Sequence, residues 1–460
     1  MKLKIRAILS IGLFGFCAAL AQAQTAQEFV LRNGMKVVVK EDRRAPTAVQ
    51  MVWYKVGSID ELNGTTGISH ALEHMMFKGT RKHKVGEFSR LVAEIGGQEN
   101  AFTANDFTAY FQQIEKTHLE TVMALEADRM ANLQFDAAEF AKEIRVVMEE
   151  RRWRTDDQPM GLLNEALNAA AWTAHPYHHP VVGWMDDLQH MNVQDIAAWY
   201  RQWYAPNNAT LVVAGDVDTG RVLALANKYF GKIPARPLPR DTSRNKPQNE
   251  PQQLGLRRVT VKAPAENPYV VLAFKVPALR EVEQDQEAYA LDVLSAVLDG
   301  YDNARLTANL VRTGGKASSV GASYSGVARG PVLFTLEGTP AAGVTTEQLE
   351  GLLRGEVERI AKEGVSAQEL QRVKTQLIAA QVYKRDSVFG QAMEIGMMET
   401  AGIGQQNIDR IIDRLKSVTP EQVQAVAQKY FKDDNLTVAT LAPLPLDGKK
   451  PAPPPPGMLH

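Results

Sequence analysis

The chain has almost no cysteine and no excess of either charge. Its single cysteine, Cys17, lies near the N-terminus. If that segment is removed, the remaining protein has no thiol, which excludes disulfide bonds and a cysteine nucleophile. The 52 basic and 53 acidic residues give a formal net charge of −1. This balance gives no hint of nucleic-acid binding, and we expect no nucleic-acid partner.

The chain also has little uninterrupted hydrophobic sequence. A basic start at residues 2–6 is followed by an apolar stretch at 7–20, which is too short to span a bilayer. Ala21-Gln22-Ala23 fits a signal-peptidase site, so we expect cleavage after Ala23. The pattern predicts a signal peptide at residues 1–23, a periplasmic location in a Gram-negative cell, and no membrane span after cleavage.

The composition is that of an ordinary globular protein. The chain is 45% hydrophobic and 23% charged. At 460 residues it is too long for a single hydrophobic core, so two large domains are expected.

The most informative motif is His70-Ala71-Leu72-Glu73-His74, the reverse of the H-E-x-x-H helix of zinc peptidases. Apolar residues at helical spacing around it predict a helix, on which His70 and His74 project from one face. Glu73 lies beside that face, where its carboxylate can reach a water on the metal. Histidines on helices are more often structural than metal ligands. Two imidazoles, a further carboxylate and an open position, however, are typical of a catalytic zinc site.

A third ligand must come from another element. A helix is predicted from Asp136 to about Trp153, with an N-terminal cap and a buried apolar stripe. Glu143 and Glu150 are seven residues apart, two helical turns, and therefore flank that stripe on the same side. Glu149 points about a quarter-turn away. Most helical glutamates are solvated surface residues, so this pattern alone leaves open whether either one binds a metal.

These two segments together resemble the insulinase/pitrilysin family, which includes the mitochondrial processing peptidases. Members carry H-x-x-E-H and, some seventy residues later, two glutamates seven apart; here 75 residues separate His74 from Glu150 (150 − 74 − 1). The resemblance implies that His70, His74 and Glu150 bind one Zn²⁺ per chain and that Glu73 is the general base. It also implies that Glu143 supports the site as an outer carboxylate.

Three further stretches resemble the family in the same order along the chain: Gly96–Thr103, His175–Gly183 and Trp203–Ala209. The resemblance implies that the first includes a substrate-side strand, formed by Asn100, Ala101, Phe102 and Thr103. Such a strand would align an extended peptide substrate through main-chain hydrogen bonds. An ordinary strand end is the alternative.

The chain also contains an internal duplication. Residues 193–213 align without a gap to residues 420–440, a shift of 227 residues (420 − 193), and 52–56 align to 272–276 at a shift of 220 (272 − 52). We therefore expect an α+β fold with two homologous domains, each a largely antiparallel sheet covered by helices. The resemblance implies the metallohydrolase fold of the mitochondrial processing peptidases.

Domain boundaries follow from composition. The expected order is the signal peptide, a zinc-binding peptidase domain at 24–233, a proline-rich linker at 234–254, a homologous domain at 255–444, and a disordered proline-rich tail at 445–460. In the second domain, Ala290–Leu298 stands where the first has its zinc helix and carries no metal ligand of that motif.

One departure from the family concerns substrate contacts in the second half. Active members have an arginine followed seven residues later by a tyrosine. Arg312 fits the arginine, but the tyrosine position falls on Ser318 or Ser319, and Tyr324 is out of register. Arg312 is thus either a substrate-binding residue or a plain surface residue. Some bacterial relatives divide these features between two subunits, which implies a dimer, preferably with a homologous subunit lacking H-x-x-E-H rather than with itself.

The sequence therefore predicts a zinc-dependent endopeptidase that hydrolyses peptides or unfolded polypeptide segments, with a zinc-activated water and Glu73 as general base. The alternative is a non-catalytic peptide-binding or assembly subunit of a family heterodimer. Intact His70, Glu73, His74 and Glu150 favour the enzyme.

Overall fold

The computed structural model describes residues 25–239 and 249–446. The signal peptide expected at 1–23 lies outside the described residues, as do residues 240–248 of the expected linker and 447–460 of the expected tail. None of the helices in the two described ranges is both long enough and apolar enough to cross a membrane.

The first half of the chain builds a six-stranded sheet. Its strands are β1 (Gln27–Val30), β2 (Lys36–Glu41), β3 (Thr47–Tyr54), β4 (Gln98–Thr103), β5 (Thr108–Glu115) and β6 (Ala209–Gly215). The spatial order is β1-β2-β6-β3-β5-β4, which leaves β4 at an edge. All neighbouring strands are antiparallel except β2 and β6, which are parallel.

The described residues of this half form the helices α1 (Ile68–Met75), α2 (Glu87–Glu94), α3 (Leu119–Asn132), α4 (Ala137–Arg151), α5 (Pro159–Ala171), α6 (Met185–His190), α7 (Val193–Trp203) and α8 (Thr219–Tyr229). Short helical turns occur at Ser58–Asp60, Lys116–His118, Arg152–Asp156, Pro176–His178 and Pro206–Asn208. The main core lies between the sheet and these helices, with Leu72, Tyr110 and Leu211 fully buried within it.

The second half builds a five-stranded sheet from β7 (Arg257–Pro264), β8 (Tyr269–Val276), β9 (Ala317–Tyr324), β10 (Val332–Pro340) and β11 (Leu436–Leu444), in the order β7-β11-β8-β10-β9. Its helices are α9 (Gln286–Asp299), α10 (Thr346–Glu363), α11 (Ala367–Lys384), α12 (Val388–Ala401), α13 (Ile408–Ser417) and α14 (Pro420–Tyr430). Shorter helical turns occur at Thr307–Thr313, Gln405–Asn407 and Asp433–Asn435.

The two sheets share one topology, and the expected fold class is confirmed. Strands β2, β6, β3, β5 and β4 correspond in order to β7, β11, β8, β10 and β9, and each sheet has one parallel pair. The duplication extends to register: Ala209 pairs with Tyr54, and Leu436 pairs with Phe274. These positions differ by the same 227 (436 − 209) and 220 (274 − 54) residues that the sequence alignment indicated.

One helix of each half also packs against the sheet of the other half. Helix α12 packs Ala392 and Ile395 on the outer face of the first sheet, against Val49, Met51 and Trp53. Helix α5 packs in the same way on the second sheet. The strands are therefore covered on both faces, which explains why β3 reads as a nearly continuous apolar run.

Gly396 of α12 makes this close packing possible, because a Cβ added there would lie 1.9 Å from Cε2 of the buried Trp53. Gly396→Ala should therefore lower the free energy of unfolding by about 3 kcal/mol through overpacking. The matched control is Gly351→Ala on α10, where an added Cβ has no neighbour within 4 Å among the described residues. Urea unfolding measures the free energy of unfolding of both variants. A Gly396→Ala protein as stable as wild type would contradict the close contact between Gly396 and Trp53.

Candidate functional site

Helix α1 carries the first part of the site, and its N-terminus is fixed by a buried carboxylate. Glu61, which is 2% exposed, accepts hydrogen bonds from the backbone N–H groups of Gly67 and Ser69, both at 2.8 Å. A carboxylate at this position accepts hydrogen bonds from N–H groups that have no partner within the helix. Its negative charge also interacts favourably with the positive end of the helix dipole. Burial raises the pKa of Glu61 to about 7, although the two N–H groups oppose the shift. The result is a short, firmly anchored helix that presents His70 and His74 on one face.

Helix α4 carries the second part. Asp136 caps it as predicted, accepting the N–H groups of Ala138 and Glu139 at 2.9 Å. The helix ends at Arg151, two residues earlier than expected, because the chain continues as a wider π-helical turn at Arg152–Asp156. Glu150 in the last turn is 4% exposed.

The structure brings His70, His74 and Glu150 together. Glu150 Oε2 lies 3.6 Å from His70 Nε2 and 3.2 Å from His74 Nε2, and one ligand atom from each residue falls within 4.8 Å of the others. Ligands about 2.1 Å from a tetrahedral zinc ion lie about 3.4 Å apart. The spacing and the two-histidine, one-carboxylate donor set therefore fit Zn²⁺ with an open fourth position. Within residues 25–239 and 249–446, this is the one group of three such side chains that could hold a metal ion.

Neighbouring charges orient the cluster. His74 Nδ1 lies 3.0 Å from Glu143 Oε1, which directs Nε2 towards Glu150. Glu143 is held in turn by Lys78 Nζ at 2.6 Å. The second oxygen of Glu150 pairs with Arg154 Nη1 at 2.8 Å, which leaves Oε2 facing both imidazoles. Glu143 therefore lies one layer outside the three candidate ligands.

The pKa values show how the side chains of the cluster influence one another's charge. Burial and the nearby His74 lower the pKa of His70 to about 3, so this imidazole is neutral. Burial opposes a charge on His74, but hydrogen bonds with Glu143 and Glu150 outweigh it and raise the pKa of His74 to about 9. Burial likewise opposes ionisation of Glu150, yet the two histidines hold its pKa at about 2. His74 therefore carries a proton at neutral pH and pairs with both carboxylates.

Glu73 lies beside this cluster without being one of its three candidate ligands. Its side chain is buried, and its Oε2 accepts a hydrogen bond from Thr103 Oγ1 at 2.5 Å. Burial raises the pKa of Glu73, opposed by Thr103 and by His74. A carboxylate whose pKa is raised by burial and whose orientation is fixed has the properties of a general base.

Strand β4 contributes Thr103 to the site and leaves its outer edge unpaired with any other described strand. The side chain of Phe102 points to the opposite face, where it packs against Trp53 at 5.6 Å and Phe107 at 5.9 Å between ring centroids. Asn100 accepts a hydrogen bond from the N–H of Ala101. An extended peptide on this edge would therefore meet the backbone of β4 rather than the Phe102 ring.

The second half presents fewer of the predicted contacts. Arg312 is exposed and hydrogen-bonds Asn303 at 3.4 Å. Tyr324 packs against Phe334 and donates its hydroxyl to Pro277 O, so it faces its own core. Leu294, at the position equivalent to His74, is fully buried in apolar surroundings.

Sequence reasoning did not predict that one segment, ending at Gly183, contacts both α1 and α4. Gly67 and Gly183 lie back to back: a Cβ on Gly67 would be 2.4 Å from Val182 O. Arg151 Nη1 donates to Gly183 O at 2.9 Å, so this one segment contacts both ligand-bearing helices. The motif stretch ending at Gly183 marked the segment in the sequence, but nothing there indicated its neighbours.

Comparison with known proteins identifies the family of this chain. The family description "Insulinase (Peptidase family M16)" matches residues 36–183, and "Peptidase M16 inactive domain" matches residues 190–377. The chain is 31% identical to the zinc protease PqqE of Helicobacter pylori over 91% of this chain and 93% of that protein.

Solved structures agree as well. A protease from H. pylori superposes with a TM-score of 0.85 at 30% identity, over 91% of this chain and all of that chain (100%). The periplasmic protease PqqL from Escherichia coli has the same fold, with a TM-score of 0.76 at 19% identity over 92% of this chain and 48% of that chain. The chain therefore belongs to the insulinase family of peptidases, family M16.

Proposed function

We propose that this protein is a zinc-dependent endopeptidase that hydrolyses peptides or unfolded polypeptide segments. The observation that carries the proposal is the largely buried cluster of His70, His74 and Glu150, with the oriented carboxylate of Glu73 beside it. The names of its relatives, which include zinc proteases, support the same activity.

Each side chain has a distinct role in this proposal. His70, His74 and Glu150 would hold the ion, which when bound lowers the pKa of a water to roughly 7 and polarises the peptide carbonyl. Glu73 takes the proton of the attacking water and returns it to the leaving amine. Thr103 fixes the Glu73 carboxylate through its hydrogen bond. The free edge of β4 aligns the peptide through main-chain hydrogen bonds.

Zinc binding should release about one proton from His74, because its pKa of about 9 means that the imidazole is protonated at neutral pH. Below pH 9, zinc must displace this proton, and the competition weakens zinc binding. The apparent zinc affinity should therefore rise about tenfold per pH unit from pH 7 to about 9 and then level off. Competition with a chelator, corrected for the chelator's own protonation, measures this slope. Glu143→Gln should flatten it, whereas a pH-independent affinity in wild type would contradict the assigned proton.

Product analysis distinguishes the endopeptidase from a non-catalytic peptide-binding subunit. The mature chain is incubated with an unfolded protein, and the fragments are identified by mass spectrometry. We expect internal cleavages that a zinc chelator abolishes and added zinc restores. Binding of the polypeptide without any zinc-dependent fragment would instead favour the subunit role, which the inactive-domain match over residues 190–377 leaves open.

We also propose a periplasmic location after removal of residues 1–23. The charged start, short apolar stretch and Ala21-Gln22-Ala23 support this, and the fold relative PqqL is itself named a periplasmic protease. N-terminal sequencing of the protein from a periplasmic extract should begin at Gln24. A cytoplasmic protein that keeps Met1 would overturn the assignment.

Finally, we propose that the enzyme works as a dimer, preferably with a homologous subunit that lacks H-x-x-E-H. This chain covers 48% of PqqL, so the fold relative holds further chain of similar length that a partner would supply here. A second subunit would help to position a flexible peptide over the site. Light scattering and titration of activity with the candidate partner test this, and a fully active monomer at nanomolar concentration would refute it.

A further inference from the structure

Arg329 of the second half contacts two loops of the first half that lie close to the candidate site. This residue follows β9 and lies against two loops of the first half. One loop, 56–61, leads from β3 to Glu61, and the other, 104–107, joins β4 to β5. The loops contact each other directly: Ser58 N donates to Ala104 O at 3.2 Å.

Arg329 binds both loops at once. Its guanidinium makes a two-pronged ion pair with Asp60, at 2.7 Å from Nη1 to Oδ2 and 2.8 Å from Nη2 to Oδ1. Nη1 also donates to Asp106 O at 3.0 Å, and the Arg329 backbone N–H donates to Asp106 Oδ2 at 2.8 Å. The side chains of Arg329 and Asp60 are 16% and 11% exposed, so water screens this pair little.

Tyr177, from the motif stretch at 175–183, completes the arrangement. Its hydroxyl donates to Asp106 Oδ1 at 2.5 Å and accepts the N–H of Gly330 at 2.8 Å. Gly330 cannot carry a side chain here, because a Cβ would lie 2.6 Å from the Tyr177 ring. We call Asp60, Asp106, Tyr177, Arg329 and Gly330 the Arg329 clasp.

Each of the two loops that Arg329 binds leads to a residue that positions part of the candidate site. Asp106 is three residues from Thr103, which donates its hydrogen bond to Glu73. Asp60 directly precedes Glu61, which anchors the N-terminus of α1 through Gly67 and Ser69. The clasp therefore lies one short backbone segment away from the partner of the general base and one residue away from the anchor of the zinc helix.

We propose that Arg329 is a positioning residue for catalysis: the second domain uses it to hold Thr103, and through Thr103 the Glu73 carboxylate, in the reactive orientation. This inference rests on the proposed peptidase function. Arg329 touches neither substrate nor metal in this role. It acts by fixing two loops whose displacement by about 1 Å is enough to slow a reaction about a hundredfold.

The test compares Arg329→Gln and Arg329→Lys with a matched control, Lys36→Met. Lys36 also bridges the two halves, pairing with Glu399 at 2.6 Å, but its other ion-pair partner is Glu28 in β1. We expect Arg329→Gln to lower kcat about 10- to 100-fold with KM changed less than about threefold and with about one zinc per chain retained. Arg329→Lys should fall between, and Lys36→Met should keep the wild-type kcat.

A double-mutant cycle separates positioning from general loss of stability. Thr103→Val removes the hydrogen bond to Glu73, so Arg329→Gln should cost little more kcat in that background. Additive losses would overturn the inference, as would an Arg329→Gln enzyme with kcat within about twofold of wild type. If Arg329→Gln does not fold, Tyr177→Phe takes its place in the same cycle, since it removes one hydroxyl that holds both Asp106 and Gly330.

Hydrogen exchange on the zinc-free protein provides a second readout. Arg329→Gln should speed exchange at residues 56–67 and 98–108, and Lys36→Met should not. Unchanged exchange in both segments would refute the clasp even in an active enzyme. If wild type shows no zinc-dependent hydrolysis, the proposed function fails, whereas faster exchange in these segments still supports the clasp.

Discussion

Glu73→Gln should abolish nearly all peptide hydrolysis while the protein keeps its fold and its zinc. Glutamine has almost the same shape and can still accept the hydrogen bond from Thr103. It cannot take a proton from water, however, and general-base catalysis contributes about 10²- to 10⁴-fold. Because Glu73 is not among the three candidate ligands, the metal content should stay near one per chain. Steady-state hydrolysis of a peptide, with zinc measured by elemental analysis on the same sample, gives both values.

The matched control for this variant is Glu149→Gln, which also replaces one glutamate but at an exposed position paired with Arg152. It should retain wild-type activity. Glu73→Gln with activity within a factor of a few of wild type would remove Glu73 from the mechanism. Loss of zinc along with activity would instead make Glu73 part of the metal site.

Glu150→Gln should have the largest effect on metal binding. It removes the only negative charge among the three candidate ligands and leaves two imidazoles. Metal content after dialysis should fall from about one to below about 0.1 per chain. Glu143→Gln, which loosens only the support of His74, should weaken zinc affinity about 10- to 100-fold above about pH 9, where wild-type His74 carries no proton for zinc to displace.

Glu149→Gln again serves as the control, because it changes the adjacent residue of α4 and should retain full zinc content. His70→Ala should lose the metal as Glu150→Gln does. Full metal content in both His70→Ala and Glu150→Gln would show that the ion binds elsewhere or not at all.

The sequence was sufficient to predict α1, α4 and the duplicated domains, because these depend on local periodicity and on repeated segments. It also placed Glu143 and Glu150 on one side of a helix. Periodicity could not show which of them meets the histidine Nε2 atoms, since that depends on how α1 and α4 cross. The resemblance supplied this distinction, and the structure places Glu150 at both Nε2 atoms and Glu143 at Nδ1 of His74.

The residues that sequence reasoning missed are joined by contacts across long stretches of chain. Arg329 and Asp60 are 269 residues apart (329 − 60), and each alone reads as an ordinary charged residue. Thr103 was predicted to belong to the substrate-side strand. Its hydrogen bond to Glu73, however, depends on the packing of β4 beside α1, which the sequence does not show. Burial, rather than residue type, distinguishes these side chains from solvated ones.

The proposed activity is tested most directly by titrating zinc into the chelated chain while bound zinc and peptide hydrolysis are followed together. The proposal predicts that the rate rises in proportion to bound zinc and stops rising at one ion per chain, and that Glu150→Gln shows neither binding nor activity in the same range. Hydrolysis that does not depend on bound zinc, or zinc that binds at one per chain without any hydrolysis in the presence of every candidate partner, would contradict it.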